Sequence, residues 1–284
     1  MTKQTSHVLL ALAMICWSGN WIAAKWVAPL LPSQTLVFYR FLVSALVFVV
    51  FLLWQKISFK IPPSQWIMVG ITSLLMGLYQ WAFFKGIHLG LAGTGGVLVT
   101  TLNPIITFGL VALIHQKSLR KRELLGLGLG VLSAGLMLRV WRFNWTEFLN
   151  SGTGFFVLAA FAWAVLSIAS QKVRLNPIVH TFYMMALVIP LFALGTPTES
   201  MLAAVHLGPF FWGNMGFMAL FGTLFATSVF FLGTQQLGPK TSTAFMLMIP
   251  TCTAFLAWLL LGETLAWPTA VGGLMALIGV SLLI

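Results

Sequence analysis

Chemistry on a peptide or phosphate bond needs a nucleophile held beside a base, and this chain offers no such pairing. Its 284 residues contain four acids, all Glu (Glu123, Glu147, Glu199 and Glu263), and no Asp. That excludes two-aspartate catalysis, aspartyl-phosphate chemistry and most oxygen-ligated metal sites. Cys16 and Cys252 lie far apart in apolar runs, without zinc-site spacing or a disulfide framework, and read as small packing residues. No His or acid falls in mid-run beside Ser, Thr or Cys, so hydrolysis and group transfer are not expected. The stretch 233–241 imitates a phosphate loop, but Pro239 separates Gly238 from Lys240 and no strand precedes it. The expectation is a chain that is not an enzyme and holds no metal and no cofactor.

What remains is binding chemistry within apolar segments. Trp17 and Trp163 sit near the middle of two of them, whereas Trp in membrane proteins concentrates at headgroup level. Two readings fit the pair: opposite walls of an apolar pocket that stacks on a flat ligand, or ordinary helix packing. Met76, Tyr79 and Phe83 recur at spacings of three and four, so they share a stripe with Gln80 beside it, suited to a cavity or to a core. Polar side chains in such segments must be satisfied or face water, which also nominates Thr227, Thr251 and Thr253; some will bond back to their own helix. The candidate substrate cavity is Trp17, Asn20, Trp21, Tyr79, Gln80, Phe83, Thr100, Thr101, Asn103, Trp163, Ser167, Phe225, Ser228, Phe245 and Met248.

Pro104 and Pro250 each remove a backbone donor in mid-segment. The freed carbonyl could meet a substrate ammonium, but the kink alone makes a hinge, which is the reading preferred. Arg40 carries the highest cost of burial. It could snorkel to the outer surface, pair with Glu263 or backbone carbonyls, or receive a carboxylate; its place near a segment end favours the first two. His88 and His180 lie close to segment ends and are expected to be solvated.

These groups must be positioned by elements that live in lipid. The chain is 60% hydrophobic and only 7% charged, against about 25% charged in an ordinary soluble domain. A crossing needs about 20 largely apolar residues, so there is room for roughly ten and for no soluble domain. Runs bounded by Pro, Gly or charge predict spans at 7–30, 34–54, 65–86, 91–114, 122–140, 153–172, 177–195, 210–236, 241–261 and 266–284. All should be helices, because lipid-exposed backbone must satisfy its own hydrogen bonds. The run after Lys3 continues to about Leu30, too long for a signal peptide, and is the first span.

Fifteen Lys and Arg give a net charge of +11, which topology explains better than nucleic acid does. With the N-terminus inside, Lys3, Lys56, Lys60, Lys117, Arg120, Lys121, Arg122, Lys172, Arg174 and Lys240 are cytoplasmic. Lys25, Lys85, Arg139 and Arg142 are outside, so both termini are expected in the cytoplasm. Trp141, Trp145 and Phe148 would anchor the outer loop at the interface.

A shift of 146 residues lays Trp17 on Trp163, Pro104 on Pro250, Leu119 on Leu265 and Gly126 on Gly272. Five spans per half is an odd number, so the halves are inverted, an arrangement used for alternating access. The predicted fold is an all-α integral membrane protein of ten transmembrane helices in two inverted five-helix repeats, 1–142 and 153–284, with an outer connecting loop at 143–152. Gly126 and Gly130, matched by Gly272 and Ala276, give a small-residue face on spans 5 and 10, for close packing between them or for dimerisation.

Trp17-Ser18-Gly19-Asn20-Trp21-Ile22-Ala23-Ala24-Lys25 in the first span, Tyr39-Arg40-Phe41 in the second, Trp163-Ala164 in the sixth and Leu261-Gly262-Glu263-Thr264-Leu265 after the ninth carry a resemblance. Together they resemble the EamA-type ten-span transporters of the drug/metabolite transporter superfamily, over the whole chain. The first half departs at the Gly-Glu turn, where it has Gln116-Lys117. Among such transporters the chain is most similar to bacterial exporters of aromatic amino acids. The resemblance implies a central cavity lined mainly by spans 1, 3, 4, 6, 8 and 9, with spans 5 and 10 peripheral. The expected function is export of small neutral amphipathic metabolites, aromatic and other neutral amino acids first, from a bacterial inner membrane. A multidrug or other metabolite exporter is the alternative, and a structural membrane subunit the reading from another class. Expected partners are the small-molecule substrate and the lipid bilayer, not nucleic acid, with the chain a monomer or a homodimer.

Overall fold

The computed structural model describes residues 3–89, 92–116, 118–138, 140–142, 144, 146, 152–261 and 267–284. Lys117, Arg139, Trp145, Glu147, Phe148, most of the 143–152 loop and the 262–265 motif with Glu263 lie outside the described residues. All regular structure among the described residues is helical. The first half holds α1 (Lys3–Val27), α2 (Ser33–Trp54), α3 (Trp66–Leu89), α4 (Ala92–Ile114) and α5 (Lys121–Met137). The second holds α6 (Thr153–Ser170), α7 (Pro177–Ala186), α8 (Ile189–Gly195), α9 (Thr198–Val205), α10 (Pro209–Phe217), α11 (Ser228–Leu237), α12 (Pro239–Ala244), α13 (Met248–Leu261) and α14 (Trp267–Leu283).

Among the described residues, eight segments are long and apolar enough to cross a membrane: 4–30, 33–54, 63–89, 95–114, 153–170, 177–195, 209–237 and 239–260. In order they match the expected spans one to four and six to nine. At the fifth and tenth positions stand α5 and α14, 17 residues each, short of the roughly 20 that a full crossing takes. Charge explains α5: Lys121, Arg122 and Glu123 occupy its first turn.

Local chemistry sets the breaks. Pro177, Pro209 and Pro239 open helices, where a missing N–H has no cost. Asn176 caps α7 by accepting from the Ile178 amide at 2.9 Å. Pro190, in the first turn of α8, ends the preceding helix at Ala186 and splits the seventh segment. Pro250 has a comparable effect: a 3₁₀ turn at Phe245–Leu247 precedes it, whereas α4 runs unbroken through Pro104. Between α10 and α11 the eighth segment widens into a π-helix over Met218–Thr227.

α1 is the hub, packed against α4, α10, α11, α13 and the π-helical stretch. α6 lies against α3 and α4, while α7 is wedged among α2, α3 and α11. That wedge overturns the expectation of a solvated His180. It is 0% exposed, with Nε2 2.9 Å from Thr72 Oγ1, because its place one turn into α7 lies beneath the neighbouring helices. His88 is exposed as expected. Polar clasps join the helices: the Asn103 amide donates to Ala160 O at 3.1 Å, Tyr39 OH to Met201 O at 2.8 Å and Ser133 Oγ to Gly272 O at 2.6 Å.

α5 and α14 lie directly on each other. A Cβ added to Gly126 would stand 2.8 Å from Leu283 Cγ and 3.0 Å from the Gly279 carbonyl. One added to Gly272 would stand 2.8 Å from Met137 Cγ and 2.9 Å from the Ser133 carbonyl. Gly130 faces Leu247 at 3.4 Å, and Ala276 is 1% exposed beside the same leucine. Backbone oxygen cannot rotate out of the way as a side chain can. Gly126→Leu and Gly272→Leu should therefore each destabilise the fold by about 1–3 kcal/mol. Gly109→Leu and Gly128→Leu, where a Cβ meets nothing within 4 Å, should be tolerated. Thermal midpoints of the purified variants check the contrast.

Candidate functional site

The hub arrangement of α1 brings aromatic and polar groups from six elements around one point. Trp17, Asn20 and Trp21 come from α1, and Tyr79, Gln80 and Phe83 from the stripe on α3 with Met76. Arg40 enters from α2, Val99 and Thr100 from α4, Trp163 from α6, Thr227 from the end of the π-helix, and Met246 and Ile249 from around the Pro250 break. They enclose a cavity of about 30 Å³. A water fits in such a space, while metabolite pockets run to about 300–1,000 Å³.

The cavity is small because its rings fill one another's space. Trp17 and Trp163 do not stand as opposite walls: they meet edge to face, centroids 5.1 Å apart at 85°. Tyr79 lies 4.5 Å from Trp163, and Phe230 sits 5.2 Å from Trp17 and 5.3 Å from Trp163. The edge-on contacts of Trp163 with Trp17 and Tyr79 suit the ring quadrupoles, and Phe230 packs at a tilt against both indoles. One hydrogen bond fixes Trp17: its Nε1 donates to Gly222 O at 2.9 Å, an oxygen that also accepts from Thr227 Oγ1 at 2.9 Å. The absence of a side chain at Gly222 makes room for the Asn20 carboxamide, which occupies the position a Cβ would take.

An EamA-like transporter family model matches residues 4–139 and again residues 150–284. The chain belongs to the EamA-like transporter family. A protein of Archaeoglobus fulgidus described as an uncharacterized transporter is 27% identical over 98% of this chain and 96% of its own length. The uncharacterized transporter YyaM of Bacillus subtilis is 19% identical over 96% of this chain and 92% of its own. A solved structure described only as a crystal structure of protein superimposes with a TM-score of 0.70 at 20% identity, over 99% of this chain and 96% of that one. It shares the fold. Membrane transport is the general activity that membership of this family supports.

In this EamA-like chain several residues expected at the cavity point elsewhere. Asn103 is 0% exposed and spent on its bond to α6, with Thr107 Oγ1 donating to its Oδ1 at 3.5 Å. Ser167 bonds back to Trp163 O at 2.7 Å. Thr101 lies in an outer groove with Leu98 and Val131, and Phe225 and Ser228 in another with Phe51, Pro177 and Leu232. Phe245 packs on His7 at 5.6 Å, and Met248 beside Leu247 and Ala276. The cause is rotation. On α4, Thr100 and Thr101 are adjacent and point to different sides, so only one can face inward. In the eighth segment the π-helix advances each residue by a smaller angle than an α-helix, which shifts the inward position to Thr227.

Arg40 is the other correction. It does not snorkel outward: it is 5% exposed, its Nη1 donates to Met218 Sδ at 3.6 Å, and its Cζ lies 5.8 Å from the centre of the Phe84 ring. No backbone carbonyl accepts from it among the described residues, and its Nε–H has no acceptor. α2 packs on the π-helical stretch and on α3 among other elements, and Arg40 is one of the residues that line the cavity.

The fit of Asn20 against Gly222 gives a sharp expectation. Gly222→Ala should lower stability by about 1–3 kcal/mol through overlap with the carboxamide. Adding Asn20→Ala in the same chain should recover most of that loss. Thermal midpoints of both single variants and the double variant test the coupling.

Proposed function

We propose that the chain is a secondary transporter that exports small neutral amphipathic metabolites, aromatic and other neutral amino acids foremost, by alternating access through the α1–α3–α4–α6 cavity. In this reading ten crossings form two inverted halves, with α5 and α14 as the fifth and tenth. Both termini are cytoplasmic, the membrane is a bacterial inner membrane, the unit is a monomer, and the halves move about Pro104 and Pro250. The observation that carries it is the meeting of Trp17, Tyr79 and Trp163 with Asn20, Gln80 and Thr227 around a single enclosed space. The rings suit a flat side chain, and the amides and hydroxyl suit the polar end of an amino acid. A volume of about 30 Å³ belongs to a closed step of the cycle, from which the rings must part to admit substrate. Efflux of organic cations is disfavoured, since no acid lines the cavity among the described residues.

Uptake of labelled Phe and Thr into proteoliposomes tests this reading. With Trp17→Ala, Trp163→Ala or Tyr79→Ala, apparent affinity for Phe should fall several-fold, from a loss of about 0.5–1.5 kcal/mol beyond buried area. Thr should lose less, each rate being taken per folded transporter. Equal losses for both substrates would mean that the rings only support the bundle.

For topology, a reporter active only in the cytoplasm is fused after Gln55, Gln116 and Ile284. All three fusions should give signal, and silence at any two would overturn the orientation.

A further inference from the structure

Two buried N–H donors around the central cavity have no acceptor among the described residues: Arg40 Nε and Trp163 Nε1. Arg40 is 5% exposed and Trp163 3%. A guanidinium cannot neutralise itself by losing a proton, so burying it without a counter-ion is among the most costly arrangements in a membrane protein. Its partners are a thioether and a ring face, both neutral. Of the described acids, Glu123 is bound to Lys240 at 2.8 Å and Glu199 is exposed in the first turn of α9. Neither is a cavity-lining residue. Among the described residues, the cavity lining therefore carries one fixed positive charge and a buried indole N–H without an acceptor, and no acid. A planar carboxylate is the group whose charge and geometry answer both, accepting from the guanidinium fork and from the indole.

Resting on the transport reading above, we infer that Arg40 and Trp163 form a receptor for the substrate's carboxylate, and that this carboxylate is obligatory while an ammonium group is not. The asymmetry follows from the walls. A carboxylate meets a full charge, whereas an ammonium meets neutral acceptors such as the free carbonyl oxygen of Asn20. Aromatic carboxylates without an amine should thus occupy the site as amino acids do, and amines or carboxamides of the same shape should not. Arg40 supplies the charge, and Trp163 supplies both a donor and part of the ring wall.

The test uses the full-length chain in lipid nanodiscs and an isosteric pair, 3-phenylpropionate and 3-phenylpropionamide. Phenylalanine and phenethylamine are the second pair. Binding is read from the fluorescence of the cavity tryptophans and from thermal midpoint. The carboxylate of each pair should bind roughly 100-fold or more tightly than its partner, as expected when a buried charge loses its counter-ion. Arg40→Gln should reduce that preference to a few-fold, and Arg40→Lys should keep part of it. Ligand-free Arg40→Gln should melt at or above the wild-type temperature, because an uncompensated buried charge has gone. A purely structural arginine would instead lower the midpoint and leave the preference intact.

Equal binding of carboxylate and carboxamide to the wild-type chain overturns the inference, and needs no variant to fold. So does a preference that survives Arg40→Gln, and so does failure of both carboxylates to bind. Carboxylates that bind through Arg40 but are not carried into proteoliposomes would leave the receptor standing and remove the transport reading. Uptake that ignores the carboxylate would do the reverse.

Discussion

In lipid every backbone polar group has to find its partner inside the chain, and the site is organised by one place where this rule is met in an unusual way. Over Met218–Thr227 the eighth segment takes π-helical turns, and the hydroxyls of Thr223 and Thr227 bond back five residues, to Met218 O and Gly222 O. The Gly222 carbonyl then also accepts the indole N–H of Trp17. A second helix is tied to the distorted one by its largest side chain, and the indole's edge is set against Trp163 and Phe230. The absence of a side chain on the same glycine admits Asn20. Bulges of this kind frequently mark functional sites, because a helix gives up regular pairing only where something else takes it up.

Much of this was legible in the sequence, and the division between what was and what was not has a physical origin. Hydropathy is a property of position along the chain, so the apolar runs and their order could be read directly. The Trp17–Trp163 relation could be read too, since a shift of 146 residues aligns them and the structure puts their rings 5.1 Å apart. Which way a side chain points depends on helix rotation, which hydropathy scarcely encodes when nearly every neighbour is apolar. Thr101, Asn103, Ser167, Phe225 and Ser228 were reasonable polar or aromatic candidates that face other helices or outer grooves. The π-helix compounds the difficulty, because its altered pitch invalidates a wheel drawn at 3.6 residues per turn. Arg40 is buried, and of the three readings open for it the outward-snorkelling one gives way because distance from a segment end says nothing of how α2 packs against its neighbours.

The periphery obeys a different physics. Between α5 and α14 the driving force is close van der Waals contact, with Gly126 and Gly272 standing where an added Cβ would come within about 3 Å of a backbone carbonyl of the other helix. Ser133 adds a hydrogen bond of 2.6 Å to Gly272 O within that seam. Such an interface has one good packing and no room to slide, whereas the ring cluster at the centre can re-pair its edges and faces at little cost. A stiff seam outside and an adaptable cluster inside suits the proposed transport cycle, in which the cavity would open without loss of the fold.

The two related prolines carry that division further. α4 passes through Pro104 as a continuous helix, while the chain before Pro250 tightens into a 3₁₀ turn at Phe245–Leu247, with Ser18 Oγ donating to Ile249 O at 3.3 Å. The repeat places the same residue in both halves, yet the backbone around it differs. Alternating access by inverted halves requires such a difference at any moment, since two halves with identical conformations would face both sides of the membrane alike. On the transport reading proposed above, the asymmetry between α4 and α13 would belong to one step of a cycle and would not be a loss of the repeat.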